Sequence, residues 1–139
     1  MSDSLASAVP ASFQSFLSFD FGARRTGVAS GNRLMEAATP LRTIVAEAKD
    51  ERLAQAEARV REWRPDALVV GVPFHPDGAP HDNTARARKF ARQLRERCKL
   101  PVYEVDERYS TTEALAGGAR DADAAAACII LEQFLRSLK

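Results

Sequence analysis

A single mixed α/β domain is predicted by three features of this chain. Short apolar runs broken by a glycine turn open it, helical periodicity takes over near residue 46, and a continuous β-branched run, Ala67-Leu68-Val69-Val70-Gly71-Val72, sits between two helical stretches. The length of 139 residues suits one sizeable core. Twenty Lys and Arg against nineteen Asp and Glu leave a formal charge of +1, so any nucleic-acid signal must be local. No stretch is long and apolar enough to span a bilayer, and the first fifteen residues lack the basic start and apolar core of a secretory signal. The cytoplasm is the expected compartment, with no membrane partner.

Residues 1–15, rich in Ser and Ala, read as a flexible extension, and 16–139 as the domain. Residues 16–20 form a buried strand with a polar exit at Asp20. Gly22 supplies a turn, 26–30 returns, and 35–41 gives a third strand whose Pro40 marks its end or a sheet edge. From 46 to 63 the spacing of Leu53, Ala56, Val60 and Trp63 makes one apolar helix face. Residues 67–72 follow as a central strand covered on both sides. The loop 73–80 carries Asp77-Gly78, a turn signature.

A second helix over 83–98 presents Ala87, Phe90, Ala91, Leu94 and Cys98 to the core, and 101–105 is the next strand. Ser110 or Thr111 caps a short helix ending before Gly117-Gly118. The last helix, 123–138, faces inward through Ala127, Ile130, Leu131, Phe134 and Leu138. Cys98 and Cys128 lie in these apolar patterns and read as buried reduced thiols.

The chemistry lies in three acids. Asp20 and Glu107 each end a strand-like run, where open α/β sheets collect ligands. Asp123 lies four residues before Ala127 and seven before Ile130, on the stripe of a helix meant for burial. Asp121, the competing cap, falls on a different face. Carboxylates brought together repel, so they call for a cation or raised pKa values. Oxygen ligands suit Mg2+ or Mn2+, whereas His75, His81 and the cysteines form no zinc pattern. A two-metal phosphodiesterase would place its ions roughly 4 Å apart.

Basic side chains supplement the acids. Arg24 and Arg25 follow Asp20 beside Gly22 and Gly27, within reach of a phosphate, or else are solvated hairpin arginines. Arg88, Arg92 and Arg95 occupy adjacent turns of a helix, where they either track a phosphate backbone or solvate one helix face. Arg108 neighbours Glu107 as a substrate contact or a structural ion pair. Thr111 and Thr112 either bind phosphate or cap the adjacent helix. No histidine-based triad and no GxxxxGK[ST] sequence is present, which disfavours a serine hydrolase and a P-loop enzyme.

Several ordered segments resemble the YqgF, or RuvX, family of pre-16S ribosomal RNA nucleases, once described as Holliday-junction resolvases. These are Phe19-Asp20-Phe21-Gly22-Ala23-Arg24-Arg25-Thr26-Gly27-Val28-Ala29, then Val69-Val70-Gly71-Val72-Pro73 with Asp77-Gly78, then Val105-Asp106-Glu107-Arg108-Tyr109-Ser110-Thr111-Thr112-Glu113-Ala114. Asp123, Ala126, Ala127, Ile130 and Leu131 complete the pattern. The resemblance implies an RNase H-like fold, with a five-stranded mixed sheet flanked by helices. It implies Asp20, Glu107 and Asp123 as metal ligands and supports Arg24, Arg25 and Arg108 at the substrate. The implied role is maturation of the 5′ end of 16S ribosomal RNA, on precursor RNA or a pre-ribosomal particle. Two departures stand out: His75 replaces a frequent Asn, and the connection from Thr112 to Asp123 is short where the family commonly has a longer basic one.

Two other functions share these residues. A resolvase acting on structured DNA uses the same phosphodiester chemistry. A catalytically weak, RNA-binding ribosome-assembly factor is suggested by the basic helix and the short connection.

Overall fold

The computed structural model describes residues 9–75, 77–107 and 122–138. Within them five strands form one sheet: β1 (Ser15–Asp20), β2 (Arg25–Asn32), β3 (Ala37–Val45), β4 (Ala67–Val72) and β5 (Val102–Asp106). The spatial order is β3-β2-β1-β4-β5. β2 runs antiparallel to both β1 and β3, whereas β4 runs parallel to both β1 and β5. The helices are α1 (Lys49–Trp63), α2 (Thr84–Cys98) and α3 (Ala122–Arg136). This is the mixed, five-stranded sheet that the family resemblance implies, within the mixed α/β domain expected from the order of periodicities.

Alternation along the central strands divides the core into two layers. Leu17 and Phe19 of β1, with Leu68 and Val70 of β4, pack under α1 and α2 through Leu53, Ala56, Phe90 and Leu94. Phe16, Ala67 and Val69 point the other way, against Ala127, Ile130, Leu131 and Phe134 of α3. Ser18 shares that second face, and its hydroxyl donates to the Ala127 carbonyl at 2.8 Å. All six residues of β4 are buried, as a strand covered on both faces should be. Each large apolar side chain so buried contributes roughly 1.5–3 kcal/mol.

The boundaries differ from expectation in informative ways. β3 continues past Pro40 to Val45 because it is an edge strand, where a missing N–H can face outward without breaking the ladder. Trp63, expected in the core, is 45 % exposed; it stands at the last helical residue beside a cavity shared with Met35 and Pro65. In its place α1 buries Arg52 and Arg59, whose aliphatic stems cover apolar surface. The domain's contacts begin at Val9, which is buried, ahead of the expected boundary at residue 16. Arg33 donates to the Phe13 and Pro10 carbonyls at 3.0 Å each, and Asp66 accepts the backbone N–H groups of Gln14 and Ser15. Those two donors hold the Asp66 carboxyl below its usual pKa.

Other local expectations are met. Asp77 accepts the Ala79 N–H at 2.9 Å, and Gly78 takes a φ of 90° that favours glycine. α1 and α2 close on left-handed Arg64 and Lys99. Both cysteines are free as expected but only half-buried, at the margins of the two core layers, and that burial raises both thiol pKa values, that of Cys128 to about 11. Among the described residues no helix is long and apolar enough to cross a membrane. The short helix expected after Ser110 lies outside the described residues.

Candidate active site

Asp20 is the last residue of β1, two positions beyond Ser18, so its side chain lies on the α3 face. Its neighbours across the sheet are both glycines: Gly27 on β2 and Gly71 on β4. Neither gap is empty. A Cβ on Gly27 would lie 1.9 Å from the Asp123 carbonyl oxygen, so the first turn of α3 rests directly on the β2 backbone. A Cβ on Gly71 would lie 2.3 Å from Ile130 Cδ1 and 3.0 Å from Glu107 Oε2. The two glycines therefore admit the elements that carry the other two acids.

Glu107 follows β5 and is buried, with its backbone N–H donating to the Val72 carbonyl at 3.1 Å. Asp20 responds to these surroundings with a pKa raised from 3.8 to about 6. Burial is the main cause, the charge of Asp123 adds to it, and a side-chain hydrogen bond with Glu107 pulls the other way. A hydrogen bond between two carboxyl groups requires a shared proton, and a cation can take that proton's place.

Asp123 is engaged differently. Its Oδ2 accepts from Arg25 Nε at 2.7 Å, an ion pair joining β2 to α3 with side chains 34 % and 50 % exposed. Among the described residues no three His, Cys, Asp or Glu side chains form a group arranged to hold a metal ion. The donor chemistry nevertheless fits a hard divalent cation at Asp20 and Glu107, where carboxylate oxygens already contend for one proton. Asp123 offers oxygen donors of the same kind, with its Oδ2 engaged by Arg25. His75 and His81 lie with ring centroids 5.0 Å apart and planes tilted by 45°, and they belong to no group of three ligating side chains among the described residues.

The remaining candidates separate by location. Arg24 is exposed and its carbonyl accepts the Ala46 N–H, while Arg25 stands at the acids. Arg88 and Arg92 lie on α2, which covers the opposite face of the sheet from Asp20. Arg88 is committed to Glu104 at 3.4 Å and lies over the Phe74 ring at 5.3 Å. Arg108, Thr111 and Thr112 lie outside the described residues. Gly71 is the residue whose part was least apparent in the sequence. A glycine inside a β-branched run does signal close approach by another element, but not which one.

With this geometry in place, the sequence matches the RuvX family, described as a Holliday junction resolvase, over residues 14–137. The chain belongs to that family. A Polaromonas relative is 70 % identical over 134 residues, covering 94 % of this chain and 96 % of its own, and is named "Putative pre-16S rRNA nuclease". One from Paraburkholderia phymatum with the same name is 49 % identical, over 88 % of this chain and 85 % of its own. Thermus thermophilus RuvC, solved in complex with a Holliday junction substrate, superposes with a TM-score of 0.52 at 19 % identity, covering 88 % of this chain and 94 % of that one. The fowlpox virus resolvase, solved with Holliday junction DNA, gives 0.59 at 9 % identity, covering 89 % and 98 %. The fold is thus RNase H-like, as the family resemblance implied.

Proposed function

We propose that this RuvX-family chain is a cytoplasmic, divalent-metal-dependent nuclease that processes the 5′ end of precursor 16S ribosomal RNA. The observation that carries the reading is Asp20, set between two glycines, hydrogen-bonded to Glu107 and raised in pKa by burial. Such a pair is costly to keep ionised without a cation, which makes it a functional feature in this reading. The names borne by close relatives support RNA as substrate.

Asp20 and Glu107 would hold Mg2+ or Mn2+, with Asp123 joining them. When bound, the ion lowers the pKa of an attacking water and offsets charge on the phosphate. Arg25 is a phosphate ligand in waiting: substrate competing for its guanidinium would release Asp123 toward Asp20 and Glu107. Hydrolysis consumes one water, forming one P–O bond and breaking the ester. Asp20 and Glu107 act as oxygen ligands, not as nucleophiles. Arg24, Arg108, Thr111 and Thr112 are assigned to substrate contact on sequence grounds, while Arg88 and Arg92 would meet RNA only where it extends across α2.

The deciding measurement is Mg2+-dependent cleavage of a precursor 16S RNA by wild type and Asp20→Asn, with product ends mapped. Cleavage at the mature 5′ end that disappears in the variant is expected; equal cleavage by both proteins would refute the site assignment. RNA binding without strand cleavage would instead identify an assembly factor. The family's description as a junction resolvase and the two resolvase folds favour one second reading, action on branched DNA. Matched RNA and four-way DNA substrates tested side by side separate the two.

A further inference from the structure

A cleft of about 280 Å3 opens on the other face of the sheet from the carboxylates. It lies between the β1–β2 connection, the first turn of α1 and the first turns of α2. Lys49, Arg52, Arg86 and Lys89 line it against a single acid, Glu47. Among the described residues none of these four cations makes an ion pair. Four like charges around one concavity are unfavourable unless an anion shares it.

The cleft has a built centre. Arg52 is 7 % exposed, and its Nη2 donates to the carbonyls of Ala23, Ala46 and Glu47. Its guanidinium lies 5.1 Å from the Phe21 ring centroid, and its Nε is buried without a hydrogen-bond partner. Burial lowers its pKa. Phe21 and Phe90, with ring centroids 5.4 Å apart, form an apolar floor. The volume is at the lower end of small-molecule sites.

Position links the cleft to the acids. Phe21 is the residue after Asp20, so consecutive side chains of one segment face the two sites. Both open at the carboxyl edge of β1, where α1 and α2 also begin on the cleft side. Lys49, at the start of α1, and Lys89, in α2, stand on the cleft side of that edge.

We propose that this cleft binds a backbone phosphate of the RNA substrate, beside the one that is cleaved, with the sugar against the aromatic floor. The inference rests on the nuclease reading and extends it to a second subsite. Its role is to fix the register of the strand over the acids; it takes no part in bond cleavage.

The test is binding of a fluorescein-labelled twelve-nucleotide single-stranded RNA to the full chain in EDTA, across a salt series. The Lys49→Gln/Lys89→Gln double variant removes two exposed cleft charges. The Arg61→Gln/Arg136→Gln double variant removes two exposed charges at the far ends of α1 and α3. The cleft variant should bind about tenfold or more weakly at moderate salt, with the salt slope reduced by about 1.4, while the control stays near wild type. Melting temperatures check that both variants are folded. Equal weakening in the two variants, or none in the cleft variant, would overturn the subsite while leaving RNA binding intact. A wild type that does not bind this RNA would overturn the nucleic-acid reading and the subsite together.

Discussion

The two faces of β1 at its carboxyl end are opposites. On one, Ser18 and Asp20 lie under α3 with Glu107 and Asp123; on the other, Phe19 and Phe21 lie under α1 and α2 among cations. One strand delivers both because successive side chains alternate. The acidic face is assembled by omitted side chains, at Gly27 and Gly71, and holds charges that destabilise one another. The aromatic face is filled: Phe90 meets Phe19 edge-on at 5.8 Å and Phe21 at 5.4 Å. The acids and the aromatic packing are thus drawn from different sides of the same four residues, Ser18 to Phe21.

The largest expected break in this contrast is chemical. Asp20→Asn should lower RNA cleavage by about a thousandfold, roughly 4 kcal/mol of transition-state stabilisation, while leaving the far-UV spectrum unchanged. Phe90→Ala should do the reverse, lowering unfolding free energy by about 3–5 kcal/mol in urea titrations. Gly71→Val tests the glycine gap. Its added methyls meet Ile130 and Glu107, and a loss of about 1–3 kcal/mol is expected together with loss of cleavage.

Asp20 also makes stability depend on pH. Because its folded-state pKa is raised from 3.8 to about 6, its favourable contribution is full below the unfolded value and is lost as pH rises through about 6. Wild type should therefore fall behind Asp20→Asn by about 1–2 kcal/mol between pH 4 and pH 8 in denaturant melts, after allowance for solvent screening. Adding Mg2+ at pH 8 should narrow that gap by stabilising wild type alone. A gap that does not change with pH would show that burial does not raise the Asp20 pKa. The smallest effect is at Arg25→Gln, where loss of a half-exposed pair should cost under about 1 kcal/mol. Its sharper signature is tighter Mn2+ binding by titration calorimetry without RNA, since Asp123 is then released.

Much of this contrast was legible from residue order. The alternation of Phe16-Leu17-Ser18-Phe19-Asp20 assigns faces, and the run at 67–72 assigns the central strand. The stripe through Ala127 and Ile130 turns Asp123 inward. Strand pairing is where legibility stops, because it is a property of partners. Nothing local to Gly27 or Gly71 says that both flank Asp20, and nothing local to Arg25 says that it will meet Asp123, 98 residues away. The cleft escaped notice for the same reason: Lys49 and Lys89 are ordinary helix-surface residues until the chain folds. Trp63 shows the opposite error, an apolar residue in correct helical phase whose turn has run past the packed core.

The glycine pair has a further consequence, for traffic. With the α3 backbone laid over Gly27 and with Ile130 and Glu107 over Gly71, the described residues cover both lateral flanks of Asp20. At the strand end stands Arg25, paired with Asp123. The two residues without side chains therefore act as closed shutters on either flank of the carboxylate between them.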